Sequence, residues 1–425
     1  MKERLLHFIW QHKLFNIRDL LTEDGNSLQI INFGKINNDG GPDFFNATIK
    51  IDNIVLVGNI ELHVYASDWI LHKHNNDKKY KNVILHVVYF NDVAIPNIPT
   101  LVLNGLIPPI LIERYSSMLL SKQLLICKPM LSDIDEFSLL KWKERLLIER
   151  LERKSAIILH NLNNLNNDWE QVCYRLLGKY FGSHINNDNF ERLTQYLDCK
   201  ILSKHANDIT QLEAMIFGVA GFLNADFVDE YPLMLKREYL FLKHKYKLQE
   251  VETHSWQFLR IRPISFPTIR LAWFAQLMQK LPLFQLILSE NIKFDFMDNI
   301  QTSVYWETHY TFDKISIKKN KHIGNDFKSM LCVNVIAPLV YAYGKWIGDE
   351  KWTHHSIQIL MSVAAEQNSK TKHFFEAGLK QHSAYDSQAF IELQDNYCTQ
   401  KRCLDCSIGY TILNKNIPKY PPKIV

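Results

Sequence analysis

Four apolar runs, residues 28–33, 45–51, 54–65 and 83–90, crowd into the first quarter of the chain and constrain its fold more than any other feature. All are rich in β-branched and aromatic residues, which favour a pleated, half-buried surface, so each reads as a strand. Turn residues separate them. Asn38-Asp39-Gly40-Gly41-Pro42 is a turn cluster, and Asp52-Asn53 predicts a tight hairpin that lays the second and third strands side by side in opposite directions. Ser67-Asp68-Trp69 offers an N-cap for a short helix through about His74, ahead of the fourth strand. The first ten residues read as an amphipathic helix. The predicted order is helix, three-stranded meander, helix, strand.

Pro96, Pro99, Pro108 and Pro109 punctuate the next segment, placing the end of this α/β unit near Leu120. From Asp133 onward helical periodicity dominates. Leu147 and Leu151 share a face, and Glu149 and Arg153 form an i,i+4 pair on another. The Asn-rich run 161–167 reads as a connector between helices. The expected organisation is an α/β domain over 1–120, a mainly α-helical body over 121–395, and a Cys-rich segment over 396–425 that packs on the rest. A chain of 425 residues with 47% hydrophobic and 22% charged residues has ordinary globular composition and enough material for several cores. Its net charge of +4 neither requires nor excludes nucleic acid, which would have to be met by a local basic face. The N-terminus lacks a signal-peptide cleavage pattern, and the apolar run 330–343 is interrupted by Asn334 and Pro338, short of the roughly 20 residues a spanning helix needs. Seven cysteines without an export signal are expected to be reduced thiols, so no membrane association and a cytoplasmic location are expected. The oligomeric state is left open.

Chemistry concentrates in two places. In the hairpin, Gly41-Pro42-Asp43-Phe44 should lie beside Gly58-Asn59-Ile60-Glu61-Leu62-His63. Side chains alternate along a strand, so Glu61 and His63 share a face near Asp43. Two carboxylates suit Mg²⁺ or Mn²⁺, which polarises a phosphate and activates water, with His63 orienting or deprotonating that water. The bland alternative is carboxylates that cap turns and pair with lysines. His72, His74, Asp77 and His86 are further candidates, although His72 and His74, two apart on a helix, should not share a face, and His86 also fits a satisfied core histidine.

This order of elements, with Asp43 on one strand and Glu61-x-His63 on the next, resembles the PD-(D/E)xK nuclease superfamily over about the first 90 residues. The resemblance implies a restriction-endonuclease-like mixed sheet, Asp43 and Glu61 as metal ligands, and His63 in place of the usual lysine. A permanent point charge would thereby become a group that titrates near neutrality and can itself bind metal.

The second concentration is Cys398-x4-Cys403-x2-Cys406, with Lys401 and Arg402 between the thiols. Such clustering favours Zn²⁺ or an iron–sulfur cluster, with Cys127 as the fourth ligand if the C-terminus folds back. The alternative is three reduced cysteines in a turn. Some nucleases of the same superfamily carry one upstream cysteine and three near the C-terminus, at a different spacing. Cys173, Cys199 and Cys332 lie in apolar surroundings and read as small core residues.

Arg260, Arg262 and Arg270, interleaved with Trp256, Phe258, Phe266 and prolines, read either as a strip contacting phosphates or as a rigid loop whose arginines pair with carboxylates. Over nearly its whole length the chain also resembles a bacterial family of unknown function, domain of unknown function 2851. The resemblance rests on the two hairpin segments above, Ser67-Asp68-Trp69 with His72 and His74, Arg260-Ile261-Arg262-Pro263, and the Cys398, Cys403 and Cys406 segment. It implies a bacterial cytoplasmic setting and no mechanism. The residues point to a metal-dependent, nuclease-like phosphodiesterase acting on nucleic acid. The rival is a non-catalytic binding or scaffold protein on a nuclease-derived fold, with a structural metal or none.

Overall fold

The computed structural model describes residues 1–37, 39–123, 125–289 and 294–417. Asn38 of the predicted turn cluster lies outside them. The chain divides into two compact units. Unit one comprises Met1–Lys143, Lys372–Leu379 and Ile391–Val425; unit two comprises Glu144–Thr371 and Lys380–Phe390.

Unit one is built on a mixed sheet. Its strands are β1 (Leu20–Leu21), β2 (Ser27–Asn32), β3 (Lys35–Ile36), β4 (Phe44–Ile51), β5 (Ile54–Tyr65), β6 (Val83–Phe90) and β7 (Thr100–Val102). They lie in the order β1-β2-β4-β5-β6-β7, with β3 also paired to β4. From β1 to β5 the pairing is antiparallel; β5, β6 and β7 run parallel. The helix α1 (Glu3–Gln11) buries Leu5, Leu6, Phe8, Ile9 and Trp10 as its apolar stripe, and packs against β5. Residues 60–63 of β5 are all buried, as expected of a strand with neighbours on both sides and both faces covered.

The crossover from β5 to β6 differs from the predicted one. The helix α2 (Asp68–Leu71) stops three residues before His74, and Ser67 does not cap it. The Ser67 hydroxyl and amide instead donate to Asp92, tying the helix start to the end of β6. Lys73 then adopts left-handed backbone (φ 60°), and a 3₁₀ turn, His74–Asn76, runs off in a new direction. At Gly58 the strand passes so close to the start of β6 that a Cβ would meet the Asn82 carbonyl at 2.6 Å and Ile84 at 2.5 Å. Here glycine is a packing requirement. Two longer helices come next in the chain, α3 (Pro109–Leu120) and α4 (Glu136–Asn164). The second runs through Asn161–Asn164, so four of the seven residues of the predicted Asn-rich connector are helical.

Unit two is mainly helical, with a small hairpin of His309–Thr311 and Lys314–Ile315. Tyr174, Phe181, Phe190 and Phe274 pack ring on ring at its centre. The segment Asn325–Ile347 is long and apolar enough to cross a membrane by length and composition, but 67% of its apolar window is buried, as in a core helix. It exceeds the run expected from sequence because a π-turn at Cys332–Ile336 carries the helix past Asn334 and delivers Pro338 to the first turn of the next helix, where a missing N–H costs little.

Candidate metal centre

The β4–β5 pairing sets two carboxylates side by side through reciprocal hydrogen bonds. The Asp43 amide donates to Glu61 Oε2 at 3.1 Å, and the Leu62 amide donates to Asp43 Oδ2 at 2.9 Å. From α1, His7 Nε2 approaches the same Asp43 oxygen at 3.2 Å. His7 carries no sequence signal beyond its i,i+4 relation to Glu3.

Next to this pair, three imidazoles converge. Ring nitrogens of His63, His72 and His74 all lie within 4.8 Å of one another. His63 Nε2 is 3.2 Å from His72 Nδ1 and 3.6 Å from Glu61 Oε1, and His74 Nε2 is 3.3 Å from the same carboxylate oxygen. His72 and His74 meet because the left-handed Lys73 breaks the helix between them; the expectation that they could not share a face assumed one continuous helix and fails at that residue. Trp69 Nε1 donates to Asn75 Oδ1 at 2.7 Å and Tyr80 stacks on His74 at 3.8 Å, which holds the turn.

Behind the cluster, His63 Nδ1 and His86 Nε2 are hydrogen-bonded at 2.9 Å. With the proton on His63 Nδ1, Nε2 carries a lone pair aimed at the cluster, the tautomer a ligating histidine needs. His86 is thus a supporting group. Buried His74 Nε2 has no partner of hydrogen-bonding geometry although it faces Glu61. Two ligands of one transition-metal ion at about 2.1 Å stand roughly 3.0 to 3.4 Å apart, close to these separations. The donor set therefore fits a cation held by Glu61, His63, His72 and His74. Glu61 is 5% exposed, His63 1% and His74 9%, whereas His72 is exposed and opens the cluster to solvent.

Burial dominates the electrostatics. It pushes the Glu61 carboxyl up to about 9, aided by the Asp43 carboxylate beside it. It also holds His63 down at about 2 and His86 at about 4, with neighbouring imidazoles adding to both, so these rings stay neutral.

Cys127, Cys398, Cys403 and Cys406 line one cavity in unit one. Burial pushes Cys127 up to about 12 and Cys406 up to about 11. Cys173, Cys199 and Cys332 are buried separately from this group, as expected of core residues. In unit two, Arg260 and Arg262 are exposed. Arg270 is turned inward: it donates to the Phe181 carbonyl at 3.2 Å and lies over the Phe327 ring at 4.6 Å, and burial lowers it to about 10. Its Nε has no hydrogen-bond partner among the described residues, and the residue lines a cavity together with Lys179, His184 and His322.

The family model described as a protein of unknown function, DUF2851, matches residues 3–369. No curated protein and no solved structure matches the chain.

Proposed function

For this chain, which belongs to the DUF2851 family, we propose a metal-dependent phosphodiesterase of nuclease type centred on unit one. The observation that carries the reading is the convergence of His63, His72 and His74 nitrogens within 4.8 Å, with Glu61 Oε1 against two of them. Three imidazoles and a carboxylate suit Mn²⁺, Zn²⁺ or Fe²⁺ better than Mg²⁺, which prefers oxygen ligands. When bound, such an ion supplies Lewis-acid polarisation of a phosphate oxygen and lowers the pKa of an attacking water.

The chain's own residues do the rest. Asp43, beside the cluster, is placed to take a proton from the nucleophile. Glu61, too buried to keep a charge alone, becomes a carboxylate only when a cation replaces its proton. His86 fixes the His63 tautomer. Exposed Lys73, Lys78, Lys79 and Lys81 ring the crossover, and Lys79 reaches over the Gly40–Gly41 turn that leads into Asp43; they would hold the phosphates of a polyanion. The αβββαβ order, with β5 parallel to β6, supports a restriction-endonuclease-like core, and His63 occupies the motif's lysine position as a ligand.

The test is metal content and cleavage of single- and double-stranded DNA and RNA with Mn²⁺ or Zn²⁺, comparing wild type with His72→Ala. Metal bound at micromolar affinity and cleavage lost in the variant are expected. A folded wild type that binds no divalent ion ends the metal reading, and one that binds the ion but cleaves no nucleic acid ends the phosphodiesterase reading.

A further inference from the structure

We infer that Cys127, Cys398, Cys403 and Cys406 hold a [4Fe–4S] cluster. They come from two places far apart in sequence: Cys127 follows α3, whereas Cys398 ends the π-turn Gln394–Cys398, Cys403 opens the 3₁₀ turn Cys403–Asp405, and Cys406 precedes the helix Ser407–Asn414. Nevertheless they line one cavity, with Met118, Ile126, Tyr397 and Gly409 supplying an apolar wall.

The C-terminal segment is brought there by contacts of its own. Lys401 Nζ donates to the carbonyls of Leu119 (2.6 Å) and Ser121 (3.1 Å) at the end of α3. Arg4 of α1 pairs with Asp405 at 2.9 Å. Arg402 donates to the Asn396 carbonyl and to Asp405 and lies over the Tyr397 ring. Tyr397 in turn meets Trp142 of α4 edge to face. At Gly409 the helix presses on the turn before it so closely that a Cβ would stand 2.0 Å from the Cys403 carbonyl oxygen. A glycine is required for Cys403 and Cys406 to face the same space.

Spacing selects the occupant. A single zinc with Zn–S of about 2.3 Å needs its sulfurs about 3.8 Å apart. Among the described residues the histidine trio is the group of three whose ligand atoms come within 4.8 Å; no three of these thiols do. Four thiols that line one apolar cavity, no three of them within 4.8 Å of one another, suit the corners of a cubane cluster better than the tight tetrahedron of a single zinc. Ligation would release the four thiol protons and staple the C-terminal segment to the end of α3.

The full chain, purified anaerobically, is assayed for iron, acid-labile sulfide and zinc, with visible absorbance and paramagnetic resonance after reduction. About four iron and four sulfide per chain are expected. Stoichiometric zinc without sulfide overturns the proposal, as does failure to take up iron and sulfide on reconstitution of folded protein. Cys398→Ser and Cys403→Ser should each lose iron several-fold, whereas Cys332→Ser should keep it. Full iron in both ligand variants overturns the assignment. The wild-type stoichiometry decides even where a variant fails to fold.

Discussion

The histidine cluster and the cysteine cluster belong to the same unit but are assembled in opposite ways. Glu61, His63, His72, His74 and His86 come from one β-α-β crossover within residues 61–86, and the donor atoms of its histidine trio lie within 4.8 Å of one another. The four cysteines are drawn from residues 127–406 and stand farther apart. A locally built site is positioned by strand register and one backbone reversal, so it forms when the sheet forms. A site built from distant segments depends on long-range contacts such as Lys401 to α3, and an occupant can itself supply part of the closure.

That difference can be broken most directly at His72. His72→Ala should lower Mn²⁺ or Zn²⁺ affinity at least about 100-fold and leave iron and sulfide unchanged, since ligand loss exceeds the 10–100-fold typical of outer-shell changes; metal analysis of one preparation reads both. Loss of both metals would mean that the clusters are not independent. His86→Leu, which keeps the ligands but removes the partner of His63 Nδ1, should weaken the same ion by about 10-fold or more, seen by competitive chelation. Full affinity in that variant would remove His86 from its supporting role.

The two close-packed glycines give a matched pair. Gly409→Ala should cost about 1–3 kcal/mol and lower iron occupancy, and Gly58→Ala should cost a similar amount and lower occupancy of the histidine cluster only. Thermal unfolding with metal analysis checks both, and crossed effects would contradict the separation. The smallest effect is on pH. In metal-free protein, His63 and His86 have folded values of about 2 and about 4 against 6.5, so their contribution is complete above pH 6.5 and is lost as pH falls toward 4 and below. Glu61 is raised from 4.5 to about 9, so its contribution is complete below pH 4.5 and is lost as pH rises through 9. Melting temperature against pH should therefore fall on both sides, and added Mn²⁺ should relieve the alkaline decline. An unchanged alkaline limb with bound metal would separate Glu61 from the ion.

Much of the sheet and its carboxylates is legible in the sequence. The runs 54–65 and 83–90 coincide with β5 and β6, because β-branched and aromatic runs between turn residues leave few alternatives. Hairpin pairing and strand alternation alone bring Asp43, Glu61 and His63 together. His74 escapes such reasoning, because the reversal sits on Lys73, a residue type with no preference for left-handed backbone. Which way an arginine between aromatics turns is not legible either: Arg270 donates to the Phe181 carbonyl, whereas Arg260 and Arg262 are exposed.

Sequence by itself therefore determined which segments become strands and which carboxylates and imidazoles those strands present, since period, turn chemistry and residue type are local properties. Tertiary structure decided that His72 and His74 join His63, that His86 stands behind it, and that Cys127 meets three thiols from the far end of the chain. Those outcomes depend on backbone reversals and long-range contacts, whose free energies are set by packing across the whole unit.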